Sequence, residues 1–259
     1  SIGRPFGTII HPVFMGAVMS AIGLMALSFA LGRRNGLART AGWLTLAASM
    51  GAMYISHTRA ALVAFGAVAA WVVWGSWRRG EVATAHLKRV ALVGLACFVV
   101  ALPVLIPKFA ENFGTGHFYE EIDSRQQLNV IGLHMWTDHP LVGVGLNNFE
   151  QVMGPYQRQG IIFFNNPVHN LYLLFLAETG LVGFVGFLIT CAGAVYPAFR
   201  LARAHDPFLR SVGRGVAAAA IFFGVEELLG FSLRQDIPLA LFWLLAGLAV
   251  AGLTIAERE

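Results

Sequence analysis

The chain alternates between long apolar stretches and short polar ones. Seven stretches approach the ~20 apolar residues that a helix needs to cross the hydrocarbon core of a membrane. Only His57-Thr58-Arg59 separates the second stretch from the third, which predicts a tight helical hairpin. The pattern therefore predicts an all-α, polytopic membrane protein with a single membrane domain over residues 1–259. The predicted spans cover residues 13–31, 41–56, 60–76, 90–106, 171–195, 215–232 and 237–255.

The composition supports membrane insertion and excludes other classes of protein. Hydrophobic residues make up 57% of the chain and charged residues 12%, about half the usual charged fraction. The net charge of +4 comes without a basic stripe interleaved with aromatic residues, so we expect membrane lipids and not nucleic acid as partners. Cys97 and Cys191 lie in apolar runs, which leaves no disulfide framework. Since the polar N-terminal stretch begins at Ser1, we expect the C-terminal portion of a longer protein.

The basic residues orient the predicted spans. Twelve of the 18 Lys and Arg residues fall on one side of the predicted membrane and six on the other. Because cytoplasmic loops carry the excess of positive charge, the first side is predicted to be cytoplasmic and the second to be the outer side, which is periplasmic if the cell is a Gram-negative bacterium. The six predicted periplasmic residues are Arg4, Arg59, Lys108, Arg125, Arg158 and Arg234.

The longest stretch between predicted spans, residues 107–169, forms a loop on the periplasmic side. Within it, Ser124-Arg125-Gln126-Gln127 has the pattern of a capping box, with Ser at the N-cap and Gln at N3. Leu128, Ile131 and Met135 then fall on one face of a helix. The pattern predicts an amphipathic helix over 124–137 that lies along the membrane surface.

A polar pair, His169-Asn170, stands immediately before the apolar run 171–195. His169 is therefore predicted at the N-terminus of a spanning helix, where water and lipid headgroups meet. A histidine there can titrate near neutral pH and accept a proton. The alternative is an interfacial residue that caps its helix, and residue type alone favours that simpler role. The other histidines on this face, His57, His117, His134 and His139, form no i, i+4 pair that would predict a metal site.

The spacing around His169 resembles a known signature. After His169-Asn170 come nine residues and then Gly180-x-x-Gly183, with Leu-Ala-Glu-Thr-Gly at 176–180. This arrangement resembles the bacterial O-antigen ligase and O-antigen polymerase superfamily. Ser124-Arg125 followed by His139-Pro140-Leu141-Val142-Gly143-Val144-Gly145 is similar to a second part of that signature. The 56–60 segment is an imperfect match, because Thr58 precedes Arg59 and Ala60 replaces the usual glycine. The resemblance covers a core of about 40–195.

The resemblance implies a membrane glycosyltransferase that needs neither a cofactor nor a metal. It implies transfer of a glycan from an undecaprenyl diphosphate carrier to an acceptor hydroxyl of lipid A core, polysaccharide or protein. His169 would be the catalytic base. Arg59, Arg125 and Asn170 would bind the substrate, since guanidinium groups bind phosphate oxygens through two parallel hydrogen bonds. The alternative roles are snorkelling to headgroups for Arg59 and a solvated surface position for Arg125.

Three carboxylates lie in apolar surroundings, where charges are costly. Glu178 is ~13 Å along the helix from His169, at 1.5 Å per residue. This distance favours a structural role in a helix contact over chemistry. Glu226-Glu227 falls in the predicted span 215–232, with Arg234 as a possible partner. The pair fits either a wet cavity or proton path, or a short or re-entrant helix.

A rival interpretation is a transporter of a small anion such as bicarbonate. Glu226 and Glu227 would suit a translocation path through the bilayer centre. An enzyme should instead gather His169, Arg59 and Arg125 at one membrane face. A weaker interpretation is an inactive scaffold.

Overall fold

A computed structural model describes residues 12–32, 36–56, 58–81, 117–157 and 167–258. The described residues contain α-helices and two short 3-10 turns, Gly154–Tyr156 and Ser232–Arg234, and they include no strand. The all-α prediction is therefore confirmed. The helices of this part are α1 (Pro12–Gly32), α2 (Gly36–Ser56), α3 (Arg59–Arg78), α4 (His117–Asp138), α5 (Phe149–Val152), α6 (Leu171–Leu201), α7 (Pro207–Glu226) and α8 (Asp236–Ala256).

Five of the described helices, α1, α3, α6, α7 and α8, are long and apolar enough to cross a membrane. The protein is thus a multi-pass membrane protein. The predicted segment 41–56 is helical in α2, but α2 is not one of these five. The predicted span 90–106 lies outside the described residues, so the count of seven stays a prediction. The linker between α2 and α3 is short, yet α2 packs mainly against α1.

Helix α7 corrects one predicted boundary. The span predicted at 215–232 begins instead at Pro207, because the Asp206 side chain accepts a hydrogen bond from the Leu209 amide at 2.8 Å and proline suits the first helical position. The helix ends at Glu226. Glu226 and Glu227 therefore stand at a helix C-terminus and not in the middle of a span.

Helix α4 corrects another. It begins at His117, so Ser124 lies inside the helix and the predicted capping box is wrong. The predicted apolar face is confirmed, since Leu128, Ile131 and Met135 are all buried. This face packs against α6 and the segment around α5. The sequence predicted that it would lie along the membrane surface, and the structure buries it inside the protein instead.

The bundle has two chemically different ends. At one end, Arg214 pairs with Glu81 at 2.6 Å and Arg200 pairs with Glu257 at 3.1 Å. At the other end, the Phe14 ring packs on Phe231 with 6.2 Å between centroids. We call this second end the His169 end. It holds the N-termini of α1, α3, α6 and α8 and the C-termini of α2 and α7.

Candidate functional site

His169 lies in the residue pair that opens α6, and its side chain is half-buried. Its ring packs edge-on against Phe231, with 5.3 Å between ring centroids. Asn170 is the N-cap of the helix, and its Oδ1 accepts a hydrogen bond from the Leu173 amide at 3.1 Å. The prediction of a histidine at a helix N-terminus is confirmed. The contact observed for the Asn170 side chain is this N-cap hydrogen bond. It holds Asn170, and with it the preceding His169, at the start of α6.

A turn after α7, residues 227–231, contacts several helices at the His169 end. The Leu171 amide donates to the carbonyls of Glu227 and Gly230, both at 2.9 Å. These bonds satisfy an amide that a helix N-terminus leaves without a partner. The 227–231 turn therefore anchors the start of α6, directly beneath His169.

Arg125 reaches the same turn from α4. Its Nη1 donates to the Leu229 carbonyl at 3.4 Å, across 104 positions of sequence. Arg125 and His169 thus contact residues of one five-residue turn, Arg125 through Leu229 and His169 through Phe231. Two residues that the sequence could only assign to one face of the membrane thus contact the same turn.

Arg59 is the first residue of α3, and its side chain lies outside the described residues. The adjoining Thr58 is buried against Gly16 near the start of α1, where a Cβ would overlap the threonine side chain. Two residues earlier, Phe14 packs on Phe231. The α3 N-terminus therefore belongs to the His169 end, and an approach of the Arg59 guanidinium to His169 stays a prediction.

Helix α6 is interrupted at Gly180, where φ is 61° and ψ is −169°, a region essentially confined to glycine. Residues 140–148, which we call the docked loop, insert into this break. The amides of Val144 and Gly145 donate to the carbonyls of Ala177 and Glu178 at 3.0 and 2.8 Å. In return, the amides of Leu181 and Val182 donate to the carbonyls of Pro140 and Leu141 at 2.8 and 3.2 Å. Four backbone hydrogen bonds across the break thus replace helical ones.

Glu178 fastens the docked loop. Its carboxylate is 1% exposed and accepts hydrogen bonds from the amides of Asn147 and Phe149 at 3.0 and 3.2 Å. Arg234 completes the set with contacts of 2.7 and 3.2 Å. Arg234 was predicted as a partner of Glu226-Glu227, and the structure pairs it with Glu178 instead. These contacts agree with the structural role expected for Glu178, since a buried charge needs both a counter-charge and hydrogen bonds.

Glu226 and Glu227 are both buried at the end of α7. The Ser232 hydroxyl donates to Glu226 Oε1 at 3.0 Å, and the Leu233 amide donates to Glu227 Oε1 at 2.6 Å. The Oε2 atoms of both are buried without a hydrogen-bond partner among the described residues. Burial raises the pKa of the Glu227 carboxyl, and the neighbouring Glu226 carboxylate raises it further. The two hydrogen bonds connect the end of α7 to Ser232 and Leu233, which follow the 227–231 turn directly.

Replacing Glu227 with glutamine is expected to weaken the pH dependence of the stability of the fold. A carboxyl whose folded pKa is raised stabilises the fold below its unfolded pKa, and this contribution is lost as pH rises toward the folded pKa. The wild type should therefore lose up to about 1.4 kcal/mol per pH unit between about pH 5 and 8. The measurement is the midpoint of thermal unfolding in detergent. Glu257→Gln, in an exposed ion pair, is the control; equal pH slopes for wild type and Glu227→Gln would contradict the expectation.

Comparison with known families shows which family this chain belongs to. The family model described as O-antigen ligase matches residues 44–188, more than half of the chain. The chain belongs to the O-antigen ligase family. The match contains α4, the docked loop, the Gly180 break and His169. A search of the curated proteins found no match.

Membership of the O-antigen ligase family gives the function in general terms. It implies a membrane enzyme of the glycosyltransferase or ligase type, with a lipid-linked glycan donor and a glycan acceptor. The family resemblance seen in the sequence is thus confirmed.

Sequence reasoning missed two parts of this O-antigen ligase site. It used Gly143, Gly145 and Gly180 as family markers without seeing that they form one joint. Positive φ angles of 66°, 103° and 61° at these glycines are what the joint requires. It also missed the Glu178–Arg234 pair, for which the available signals were a carboxylate in an apolar run and an arginine predicted on the periplasmic side.

Proposed function

We propose that this protein transfers a glycan from an undecaprenyl diphosphate carrier to an acceptor hydroxyl on the periplasmic face of the bacterial inner membrane. One observation supports the proposal: His169 and Arg125 each contact a residue of the 227–231 turn, on the less basic end of the helix bundle. A proton acceptor and a permanent cation at one site are the two groups that such a transfer needs.

The proposed step uses His169 as general base. The acceptor oxygen attacks the anomeric carbon of the donor sugar and forms the new glycosidic bond. The bond from that carbon to the diphosphate oxygen breaks, and its electron pair leaves with the undecaprenyl diphosphate. The hydroxyl proton passes to the His169 imidazole. Base assistance of this kind contributes about 10²–10⁴ in rate.

The proposed role of the arginines is to hold the diphosphate. Negative charge grows on the leaving oxygen as the bond breaks, and a fixed guanidinium stabilises that charge. Arg125 is half-buried on α4, and its guanidinium hydrogen-bonds the Leu229 carbonyl. Arg59 would supply a second guanidinium from the α3 N-terminus. In this proposal guanidinium groups do what a metal ion does elsewhere.

The distribution of basic residues between the two ends of the bundle supports the same proposal. The His169 end is opposite the end that carries Arg200 and Arg214, and cytoplasmic ends of membrane proteins are the more basic ones. The prenyl tail would lie in the bilayer while the diphosphate and sugar reach the His169 end. A transporter would need ionisable groups along a central path, whereas Glu226 and Glu227 stand at the end of α7.

Reconstitution tests the proposal directly. Liposomes containing the full-length protein and undecaprenyl diphosphate-linked glycan are offered lipid A core, polysaccharide and protein acceptors in turn. We expect transfer to one of the three, seen by mass spectrometry as an acceptor heavier by the glycan. Absence of transfer to all three, together with bicarbonate uptake into the same liposomes, would replace the enzyme with the transporter.

A further inference from the structure

A polar cavity of about 400 Å³ opens beside His169. Its wall includes Phe231, the ring that packs against His169, and Pro167, two residues before it. The opposite wall comes from the docked loop and α5, with Asn147 and Gln151, and Gln235 closes it from the start of α8. The cavity therefore adjoins the proposed base without containing it.

The charges of the cavity do not suit a diphosphate. Arg234 lines it but is committed, through two contacts with Glu178 and a hydrogen bond of 2.7 Å to Asn147 Oδ1. Glu150 adds a further negative charge to the wall. Among the described lining residues, the one cation is thus neutralised and the acids outnumber it. A neutral molecule is the better ligand.

The remaining groups suit a sugar. Gln151 and Gln235 carry amides, each of which both donates and accepts hydrogen bonds, as a sugar hydroxyl does. Phe231 offers an apolar ring to the C–H face of a pyranose. Arg125, the cation proposed for the diphosphate, is not among the described residues that line this cavity. The arginine proposed to bind the diphosphate and the cavity suited to a sugar are thus separate features of the His169 end.

We propose that this cavity is the acceptor subsite, which binds a neutral sugar residue of a glycan acceptor and presents its hydroxyl to His169. The subsite rests on the proposed function, since it assigns the acceptor of that reaction. It selects a saccharide acceptor, a lipid A core or a growing polysaccharide, over a protein hydroxyl.

Filling the cavity tests the subsite. Gln151 is exposed and lines the cavity. In a strain of the source bacterium that lacks the gene, Gln151→Trp should restore at least tenfold less surface glycan than wild type, and the lipid-linked donor should accumulate. The purified variant should bind undecaprenyl diphosphate-linked glycan with the wild-type Kd. Asn129→Trp, an equal change at an exposed position of α4, should behave as wild type.

A milder change guards against misfolding. Gln235→Ala, at the start of α8, should raise the KM for the acceptor about tenfold and leave the KM for the donor unchanged. Full transfer by Gln151→Trp would overturn the subsite. Weaker donor binding by either variant would overturn it too, because the cavity would then hold the donor. If the deletion strain keeps its surface glycan, or if the wild-type gene restores none, the proposed function itself fails.

Discussion

Replacing His169 with alanine is expected to lower the rate of glycan transfer by about 10²–10⁴-fold, the usual contribution of a general base. The acceptor hydroxyl would then have to lose its proton to water. Because Asn170 caps α6 through its own side chain and the 227–231 turn binds the Leu171 amide, the helix should keep its start without the imidazole. The measurement is the initial rate of transfer in liposomes at saturating donor and acceptor.

A matched histidine shows whether the loss is specific. His134 is exposed on α4, so His134→Ala should retain the wild-type rate. His169→Gln keeps hydrogen-bonding capacity but accepts no proton at neutral pH, so it should be as slow as alanine. A His169→Ala protein that inserts, stays folded and transfers at the wild-type rate would remove His169 from the chemistry.

The helices could be predicted from the apolar pattern because their boundaries coincide with changes in hydrophobicity. Spans predicted at 13–31 and 237–255 lie within one residue at each end of Pro12–Gly32 and Asp236–Ala256. Where capping decides the boundary, hydrophobicity misleads. At α7, Asp206-Pro207 starts the helix eight residues before the predicted 215, and the apolar run beyond Glu226 forms a turn.

The site could be predicted only in part, because its contacts join distant parts of the chain. The sequence places His169 at a helix start since the polar-to-apolar transition lies there. It cannot connect Arg125 to the turn that His169 contacts, because Leu229 of that turn lies 104 residues after Arg125. The same holds for Glu178 and Arg234, which pair although they lie 56 positions apart.

The glycine signature shows the difference between recognising a motif and explaining it. Gly143 and Gly180 mark the family, yet the reason for them is steric. A Cβ on Gly143 would overlap the backbone of Glu178, and a Cβ on Gly180 would overlap the backbone of Leu141. Each glycine faces the segment that holds the other. The spacing of glycines within one segment does not reveal that the two segments fit each other in this way.

This fit leads to the largest stability effect that we expect. Gly180→Ala should lower the free energy of unfolding by about 3 kcal/mol, because alanine rarely adopts the backbone angles found there. The Cβ would also displace the Leu141 backbone and so break the four hydrogen bonds that hold the docked loop. The measurement is the midpoint of unfolding in detergent, combined with the rate of proteolysis within residues 140–148.

A second glycine in the same helix isolates the cause. Gly186 has helical geometry and open space around its would-be Cβ, so Gly186→Ala should stabilise α6 by about 0.5–1 kcal/mol through lower backbone entropy in the unfolded chain. The opposite signs would show that conformation and close approach, and not glycine content, make position 180 sensitive. If both variants unfold at the same midpoint, the attachment of the docked loop does not depend on the glycine conformation at position 180. Loss of transfer in Gly180→Ala with normal insertion would further connect the loop to the wall of the acceptor cavity, which Asn147 and Gln151 form.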